Sequence, residues 1–216
     1  MPAKRTRRGL LSNNVAEGHN NLMDIIWHGH SCFTIKGKDA TIVTDPFEGL
    51  GHQLPKLKAN IVTLGGEGEI PEIEGDPKIL DWPGEFEISN VPIEAFSPNG
   101  EPFNIFIFVL DGIKICHLSY LSHELSDETL DRIGEVDVLM IPVGGTEVLD
   151  GKTAQKVVEA IEPRIVIPML YAATETKLKI KGAEEFLKAM GKTEKEPAEK
   201  FSISGRSNLP EGNMEF

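Results

Sequence analysis

Short apolar runs separated by turn-forming residues dominate the first half of the chain. Runs of strand length, bounded by Gly, Pro, Asn and Asp, predict β-strands rather than helices. They lie at 25–27, 32–35, 40–44, 61–64, 79–80, 86–88 and 91–96. Ser89 and Asn90, which separate the last two runs, are turn formers and predict a hairpin. The first half is therefore expected to be rich in strands.

A second hairpin is predicted around Asp111-Gly112, which lies between apolar runs at 105–110 and 113–118. Both turn residues tolerate positive φ, and this pair is among the strongest short hairpin signals. Two further apolar runs, at 138–143 and 165–169, predict buried strands. Runs at 201–203 and 214–216 are expected at the sheet edges.

Helical spacing begins only after this second hairpin. Ser126 is a predicted N-cap, and Gly134 ends the short helix that follows. Asp150 caps a second predicted helix, which Pro163 prevents from continuing. Its apolar residues recur at i, i+3, i+4 and i+7 and form one stripe: Ala154, Val157, Val158 and Ile161. A third helix is predicted at 183–190. Hairpins followed by alternating helices and strands predict a mixed sheet system with helices on its outer faces.

Composition narrows the choice of compartment and partner. At 216 residues with 40% hydrophobic content, the chain is expected to fold as one domain over 23–216, preceded by a basic tail at 1–22. A formal charge of −12 argues against nucleic acid and anionic membranes as partners. A small molecule or another protein remains as a partner, and the oligomeric state is open. Cys32 and Cys116 lie in apolar segments, which predicts free thiols in a reducing cytoplasm.

The loop at 65–71 follows a predicted strand, and strand-end loops of α/β proteins commonly carry ligand-binding groups. Glu67 and Glu69 are its only reactive side chains. Two carboxylates can bind a hard cation, but the flanking Gly and Pro favour a solvated acidic turn. Asp45 also lies at a strand end, because the proline that follows favours an extended conformation before it.

Six sequence blocks together resemble the metallo-β-lactamase superfamily, and most of all its zinc-dependent hydrolases similar to ascorbate-phosphate lactonase. They are WHGHSCF (27–33), TIVTDPF (41–47), DWPGEFE (81–87), DGIKICHL (111–118), DVLMIPVGG (137–145) and EPRIVIPMLY (162–171). The resemblance implies an α/β fold, a four-layer αββα sandwich, with a metal site at one edge of the two sheets. In such sites, His and Asp ligands hold metal ions that generate hydroxide near neutral pH.

The positions that the resemblance assigns to these ligands carry other residues. The affected positions are Gly66, Gly68, Ile70, Pro71, Tyr120 and Leu170. Only Tyr120 among them has a side-chain oxygen, and a pKa near 10 disfavours its phenolate at neutral pH. The sequence therefore predicts no metal cofactor and a non-catalytic pseudoenzyme that serves as a binding or assembly module.

A metal-dependent hydrolase of lactones, phosphodiesters or phosphoesters is the alternative, with zinc in a rearranged site of His28, His30, Asp45 and His123. The resemblance also implies a candidate pocket, in which His30, Asp45, Tyr120 and His123 converge near the altered ligand positions. For each histidine alone, a hydrogen-bonded structural role outweighs a ligand role. No catalytic residue is assigned from the sequence.

Overall fold

The computed structural model describes residues 22–173, 175–193, 198–211 and 214–216. Its strands, in chain order, are β1 (Met23–Gly29), β2 (Cys32–Lys36), β3 (Thr41–Thr44), β4 (Leu57–Lys58), β5 (Ile61–Thr63), β6 (Ile73–Glu74), β7 (Lys78–Leu80), β8 (Gly84–Ile88), β9 (Val91–Phe96), β10 (Ile105–Leu110), β11 (Ile113–His117), β12 (Val138–Pro142), β13 (Ile165–Met169) and β14 (Lys200–Ile203). The α-helices are α1 (Asp127–Ile133), α2 (Gly151–Ile161) and α3 (Glu184–Ala189). The basic tail expected at 1–22 lies outside the described residues, apart from its last residue, Leu22.

Two six-stranded sheets form the body of the protein. Their strand orders are β14-β1-β2-β3-β5-β7 and β13-β12-β11-β10-β9-β8, and β4 pairs with β6 in a separate two-stranded sheet. In the first sheet, β3, β5 and β7 run parallel. In the second sheet, β11, β12 and β13 run parallel. The mixed sheets confirm the expected fold class.

Both predicted hairpins are present, and their turns have the required backbone conformation. Ser89 and Asn90 have φ of 52° and 60°, and Asp111 and Gly112 have φ of 52° and 77°. Two successive residues with positive φ are typical of the type I′ turn, whose twist matches that of paired strands. Short-range turn chemistry therefore accounts for the pairing of β8 with β9 and of β10 with β11.

The main core lies between the two sheets. Phe33, Ile35 and Ile42 of the first sheet pack in one cluster with Phe106 and Phe108 of the second. These side chains alternate along their strands with residues that face outward, as a two-sided sheet requires. The apolar contacts between the sheets hold the strand ends of both at a common edge.

All three α-helices pack on the outer face of the second sheet. The predicted stripe of α2 is buried there, and Ile133 of α1 and Phe186 of α3 join the same cluster. Ser126 accepts a hydrogen bond from the Thr129 N–H and caps α1, and Asp150 accepts from the Lys152 and Thr153 N–H groups and caps α2. No helix in the described ranges has both the length and the apolar character needed to cross a membrane.

The outer face of the first sheet is covered differently from the helical layer that the sequence led us to expect. Cys32, Val43 and Val62 of this face pack against Leu57 and Ala59, at and just after β4. Residues of α1, α2 and α3 do not contribute to this cluster. The two-stranded sheet and its loops therefore take the place of helices in this layer of the described structure.

Candidate active site

Strand ends from both sheets meet at one edge of the sandwich. β1 runs antiparallel to β2 and β2 antiparallel to β3, so β1, β3 and β5 share one direction. Asp45 directly follows β3, and His117 is the last residue of β11 in the other sheet. Asp45 Oδ2 and His117 Nε2 are 4.0 Å apart. The polar groups at this edge are thus brought together by the packing of the two sheets.

Asp45 is almost completely buried, and only one of its two carboxyl oxygens accepts a hydrogen bond. Its Oδ1 accepts a hydrogen bond of 2.6 Å from the Gly65 N–H. Its own N–H donates to the Thr63 carbonyl at 2.8 Å. Oδ2 is buried without a hydrogen-bond partner. Burial disfavours the carboxylate and raises the pKa of Asp45 to about 7, although the Gly65 N–H acts in the opposite direction.

His117 is fully buried beside this carboxyl group. Its Nε2 lies 3.2 Å from the Ser31 carbonyl oxygen, and its Nδ1 lies 3.2 Å from Ser119 Oγ. Burial lowers the pKa of His117 to about 4. An ion pair between an Asp45 carboxylate and a His117 imidazolium would lower the pKa of Asp45 and raise that of His117. The 4.0 Å between Asp45 Oδ2 and His117 Nε2 is too long for the direct hydrogen bond that such a pair would make. We therefore describe Asp45 and His117 as a neutral pair between about pH 4 and pH 7.

Two hydroxyl groups connect this pair to the surface loop at 65–68. Ser31 Oγ donates a hydrogen bond of 3.5 Å to the Tyr120 hydroxyl. The Tyr120 ring lies against Gly66, since a Cβ atom added there would be 2.9 Å from Tyr120 Cε2. Burial, together with the nearby charge of Asp45, raises the pKa of Tyr120. The phenol therefore keeps its proton at neutral pH, accepts a hydrogen bond from Ser31 and retains a proton that it can donate.

Four non-glycine residues at this edge have a left-handed backbone, each in a different loop. The φ angles are 51° at His30, 42° at Asp45, 49° at Ser119 and 50° at Leu170. Such conformations cost roughly 1–3 kcal/mol each and cluster at functional sites, where the surrounding structure maintains them. The four loops are also joined to one another: the Leu170 N–H donates to the His30 carbonyl at 3.1 Å, for example. The edge thus has a strained and well-connected backbone.

A cleft of about 360 Å³ opens beside these residues. It is lined by residues 64–68 and by Asp81, Pro102 and Asn104. Glu67 and Asp81 are the charged residues of this lining, and both are acidic. The cleft therefore favours neutral or cationic molecules over anionic ones.

A histidine pair lies next to this edge. The ring centroids of His30 and His52 are 4.7 Å apart, and all four ring nitrogens are buried without a hydrogen-bond partner. Burial lowers the pKa of His30 to about 4 and also lowers that of His52, although the nearby backbone of Leu50 acts in the opposite direction on His30 and that of His28 on His52. The side chain of His28 is engaged elsewhere, with its Nε2 2.8 Å from Thr34 Oγ1.

The residues of the predicted pocket have different surroundings. His30, Asp45 and Tyr120 lie at the common edge described above. His123 lies farther out, with Nε2 3.2 Å from Glu101 Oε1 and Nδ1 2.9 Å from the Glu124 carbonyl. Sequence reasoning assigned no role at the site to His117, Ser31 or His52. His117 and Ser31 each adjoin a strand end, the one signal that could have pointed to them.

The residues present do not fit the zinc site implied by the sequence resemblance. A Cβ atom at Gly68 would lie 2.5 Å from Phe47 Cδ1, and the corresponding space at Gly66 is taken by Tyr120. Leu170 is buried and apolar. Within the described part of the chain, no group of three or more His, Cys, Asp or Glu side chains is placed to hold a metal ion.

Two packed mixed sheets with a polar site at their common edge define the metallo-β-lactamase class of fold. The family model for the β-lactamase superfamily domain matches residues 24–170, and the chain belongs to this family. A UPF0173 metal-dependent hydrolase of Thermoplasma acidophilum is 30% identical over 187 residues, covering 69% of this chain and 83% of the relative. A UPF0173 protein of Pyrococcus abyssi is 25% identical over 178 residues, with the same coverage of 69% and 83%.

Solved structures agree with this assignment. A Thermotoga maritima protein, described provisionally as a Zn-dependent hydrolase of the metallo-β-lactamase superfamily, has a TM-score of 0.69 and 34% identity. The match covers 77% of this chain and 84% of that protein. A metallo hydrolase of Ignicoccus hospitalis shares the fold, with a TM-score of 0.63 at 15% identity. The match covers 84% of this chain and 98% of that protein.

The comparisons correct the functional expectation drawn from the sequence. A non-catalytic pseudoenzyme was expected because the ligand positions carry other residues. That expectation is wrong, since relatives over most of the chain are named metal-dependent hydrolases and a structural neighbour is described as a Zn-dependent one. The altered positions were given too much weight, because the loss of familiar ligands was taken as loss of activity.

Proposed function

We propose that this chain is a hydrolase of neutral or cationic carboxylic esters or lactones, acting at the cleft lined by residues 64–68. The hydrolase names of its relatives support the reaction class. The observation that carries the location is the set of four left-handed, non-glycine residues from four loops around Asp45. Two acidic residues in the cleft favour an uncharged carbonyl substrate over a phosphodiester.

In this proposal, Tyr120 is the proton donor at the reacting oxygen. Water adds to the carbonyl carbon, and the bond between the acyl carbon and the leaving oxygen breaks. Tyr120 donates its proton to the departing oxygen and regains one from the water that has been added, so the proton count closes. The Ser31 hydroxyl, which donates a hydrogen bond to Tyr120, stabilises the phenolate between these two transfers.

Because the residues do not fit the zinc site of the family, the proposed reaction uses no metal ion. The two unpaired and buried cysteines support a reducing compartment, and we place the protein in the cytoplasm on that basis.

The test compares the two tyrosines of the chain. Purified protein treated with EDTA is assayed with p-nitrophenyl acetate, a thiolactone and bis(p-nitrophenyl) phosphate. Tyr120→Phe is expected to lower kcat by about 10²–10⁴-fold, as for the loss of a general acid. Tyr171→Phe is the matched control and leaves kcat unchanged, because Tyr171 stacks on Trp27 instead.

Three results would contradict the proposal. The first is an unchanged kcat in Tyr120→Phe, and the second is a preference for the phosphodiester. The third is activity that disappears in EDTA and returns with zinc, which would require a metal site other than the one implied by the family.

A further inference from the structure

The histidine pair, His30 and His52, has unused coordinating atoms inside the protein. His30 is 3% exposed, yet neither of its ring nitrogens has a hydrogen-bond partner. The ring nitrogens of His52 are equally buried and unpartnered. Buried polar atoms are nearly always satisfied, so four unpartnered nitrogens in two adjacent rings call for an explanation.

The local backbone holds the two rings together. His52 lies directly over Gly29, because a Cβ atom at this glycine would be 2.9 Å from His52 Nε2. Gly29 has a φ of 107°, so both its conformation and this close approach require glycine. His30 is the next residue in the chain, which places its ring within 4.7 Å of the His52 ring, centroid to centroid.

The pair also borders an opening to solvent. His52 lines a second cleft of about 460 Å³, together with Glu48, Gln53 and Lys177. An ion or water molecule can therefore approach the His52 ring from this side, and it reaches the buried ring nitrogens once that ring rotates. This cleft is distinct from the one at residues 64–68, which His52 does not line.

We propose that His30 and His52 form a binding site for a late first-row divalent metal ion, with water completing its coordination. Neutral imidazole is a preferred ligand of Cu²⁺, Ni²⁺ and Zn²⁺, and nitrogen ligands bind at about 2.0–2.1 Å. Two rings with centroids 4.7 Å apart can each direct one nitrogen to a common ion at that distance after a small rotation. Glu48 and Lys177 in the lining of this cleft carry opposite charges, so the lining has no net charge. The two imidazoles therefore determine which metal ion binds.

The two histidine side chains are not those that the proposed hydrolysis uses, Ser31 and Tyr120, although His30 directly precedes Ser31. They also differ from the residues at the family's ligand positions 66, 68 and 170, although the Leu170 N–H donates to the His30 carbonyl. With only two protein ligands, the site binds less tightly than a structural zinc site and follows the Irving–Williams order, with Cu²⁺ the tightest.

The experiment measures binding of the metal alone to the full chain. Protein stripped with EDTA and dialysed is titrated by calorimetry with CuCl₂, NiCl₂ and ZnCl₂ in separate runs. We expect one ion per chain, with Cu²⁺ bound most tightly. His52→Gln is expected to weaken binding by about tenfold or more, since even changes outside the ligand shell cost about 10–100-fold. His123→Gln is the control and is expected to bind as the wild type does, because His123 contacts Glu101 and Glu124 instead.

Electron paramagnetic resonance of the wild-type Cu²⁺ complex gives a second readout that needs no variant. Hyperfine splitting from two imidazole nitrogens is expected, and from one in His52→Gln. The proposal is wrong if the wild type does not bind Cu²⁺, if its spectrum shows fewer than two nitrogens, or if His123→Gln weakens binding as much as His52→Gln does. Circular dichroism of each variant separates loss of binding from loss of fold.

Discussion

Replacing Asp45 with Asn tests the protonation state assigned to the buried pair. Asn keeps the shape of the side chain and an oxygen that can accept from the Gly65 N–H, but it cannot ionise. The pKa of Asp45 is raised in the folded protein from 3.8 to about 7. Between these pH values, the folded state therefore keeps a proton that the unfolded state has released.

The sign and size of the effect follow from this difference. Because the folded state binds more protons, Asp45 lowers the free energy of unfolding as the pH rises from about 4 to about 7. With about 1.4 kcal/mol for each pKa unit, wild type loses about 3 kcal/mol relative to Asp45→Asn between pH 4.5 and 7.5. The lowered pKa of His117 changes the free energy of unfolding in the opposite direction. Neutral His117 favours the folded state, and this contribution is lost as the pH falls from 6.5 towards 4. This contribution is common to both proteins and cancels in the comparison.

Urea unfolding followed by circular dichroism at six pH values between 4.5 and 7.5 measures the difference. Asp150→Asn is a control of opposite sign, because backbone N–H groups at the start of α2 lower the pKa of Asp150. If Asp45→Asn instead becomes less stable than wild type as the pH rises, Asp45 and His117 form an ion pair. The neutral pair described here would then be refuted.

Three further predictions concern packing, capping and thiol reactivity. Gly68→Ala is expected to cost about 1–3 kcal/mol in urea unfolding, because its Cβ atom would lie 2.5 Å from Phe47 Cδ1; an equal cost in a Phe47→Ala background would contradict this. Asp150→Ala is expected to cost about 1 kcal/mol, because the Lys152 and Thr153 N–H groups lose their acceptor, whereas Asp150→Asn should retain most of the cap. Cys32 and Cys116 are expected to react with a disulfide reagent only after denaturation, because both are buried and burial raises the pKa of each; rapid reaction in the folded protein would show that one is accessible.

The strands, hairpins and helices could be predicted because their signals are local. Asp111-Gly112 predicts a turn whatever its surroundings, and both residues have the positive φ that this requires. The stripe from Ala154 to Ile161 likewise predicts one buried helix face, and all four of its residues are buried. The covering of the first sheet could not be predicted, because β4 and β6 have only two residues each and carry almost no periodicity.

The site was predicted only in part. Asp45 lies at a strand end as expected, but the extended conformation predicted from the following proline is wrong, because Asp45 has a φ of 42°. The resemblance added His30 and Tyr120. His117 was interpreted as a hydrogen-bonded structural residue, since nothing in the sequence relates it to Asp45, 72 positions away. Likewise, no motif joins His52 to His30, because the two approach each other only through the bend of the loop over Gly29.

By itself, the sequence determined the identity and order of most elements, and its resemblance to a known family implied the class of sandwich. The elements depend on turn residues, caps and apolar periodicity within about ten residues of chain. Only the tertiary structure decided that Asp45 lies 4.0 Å from His117, and that Phe47 and Tyr120 fill the space beside Gly68 and Gly66. These distances are set by the packing of two sheets against each other, in which apolar contacts at the core determine where the polar strand ends meet. Burial at that edge then sets the protonation of Asp45, a property that the residue does not have in the unfolded chain.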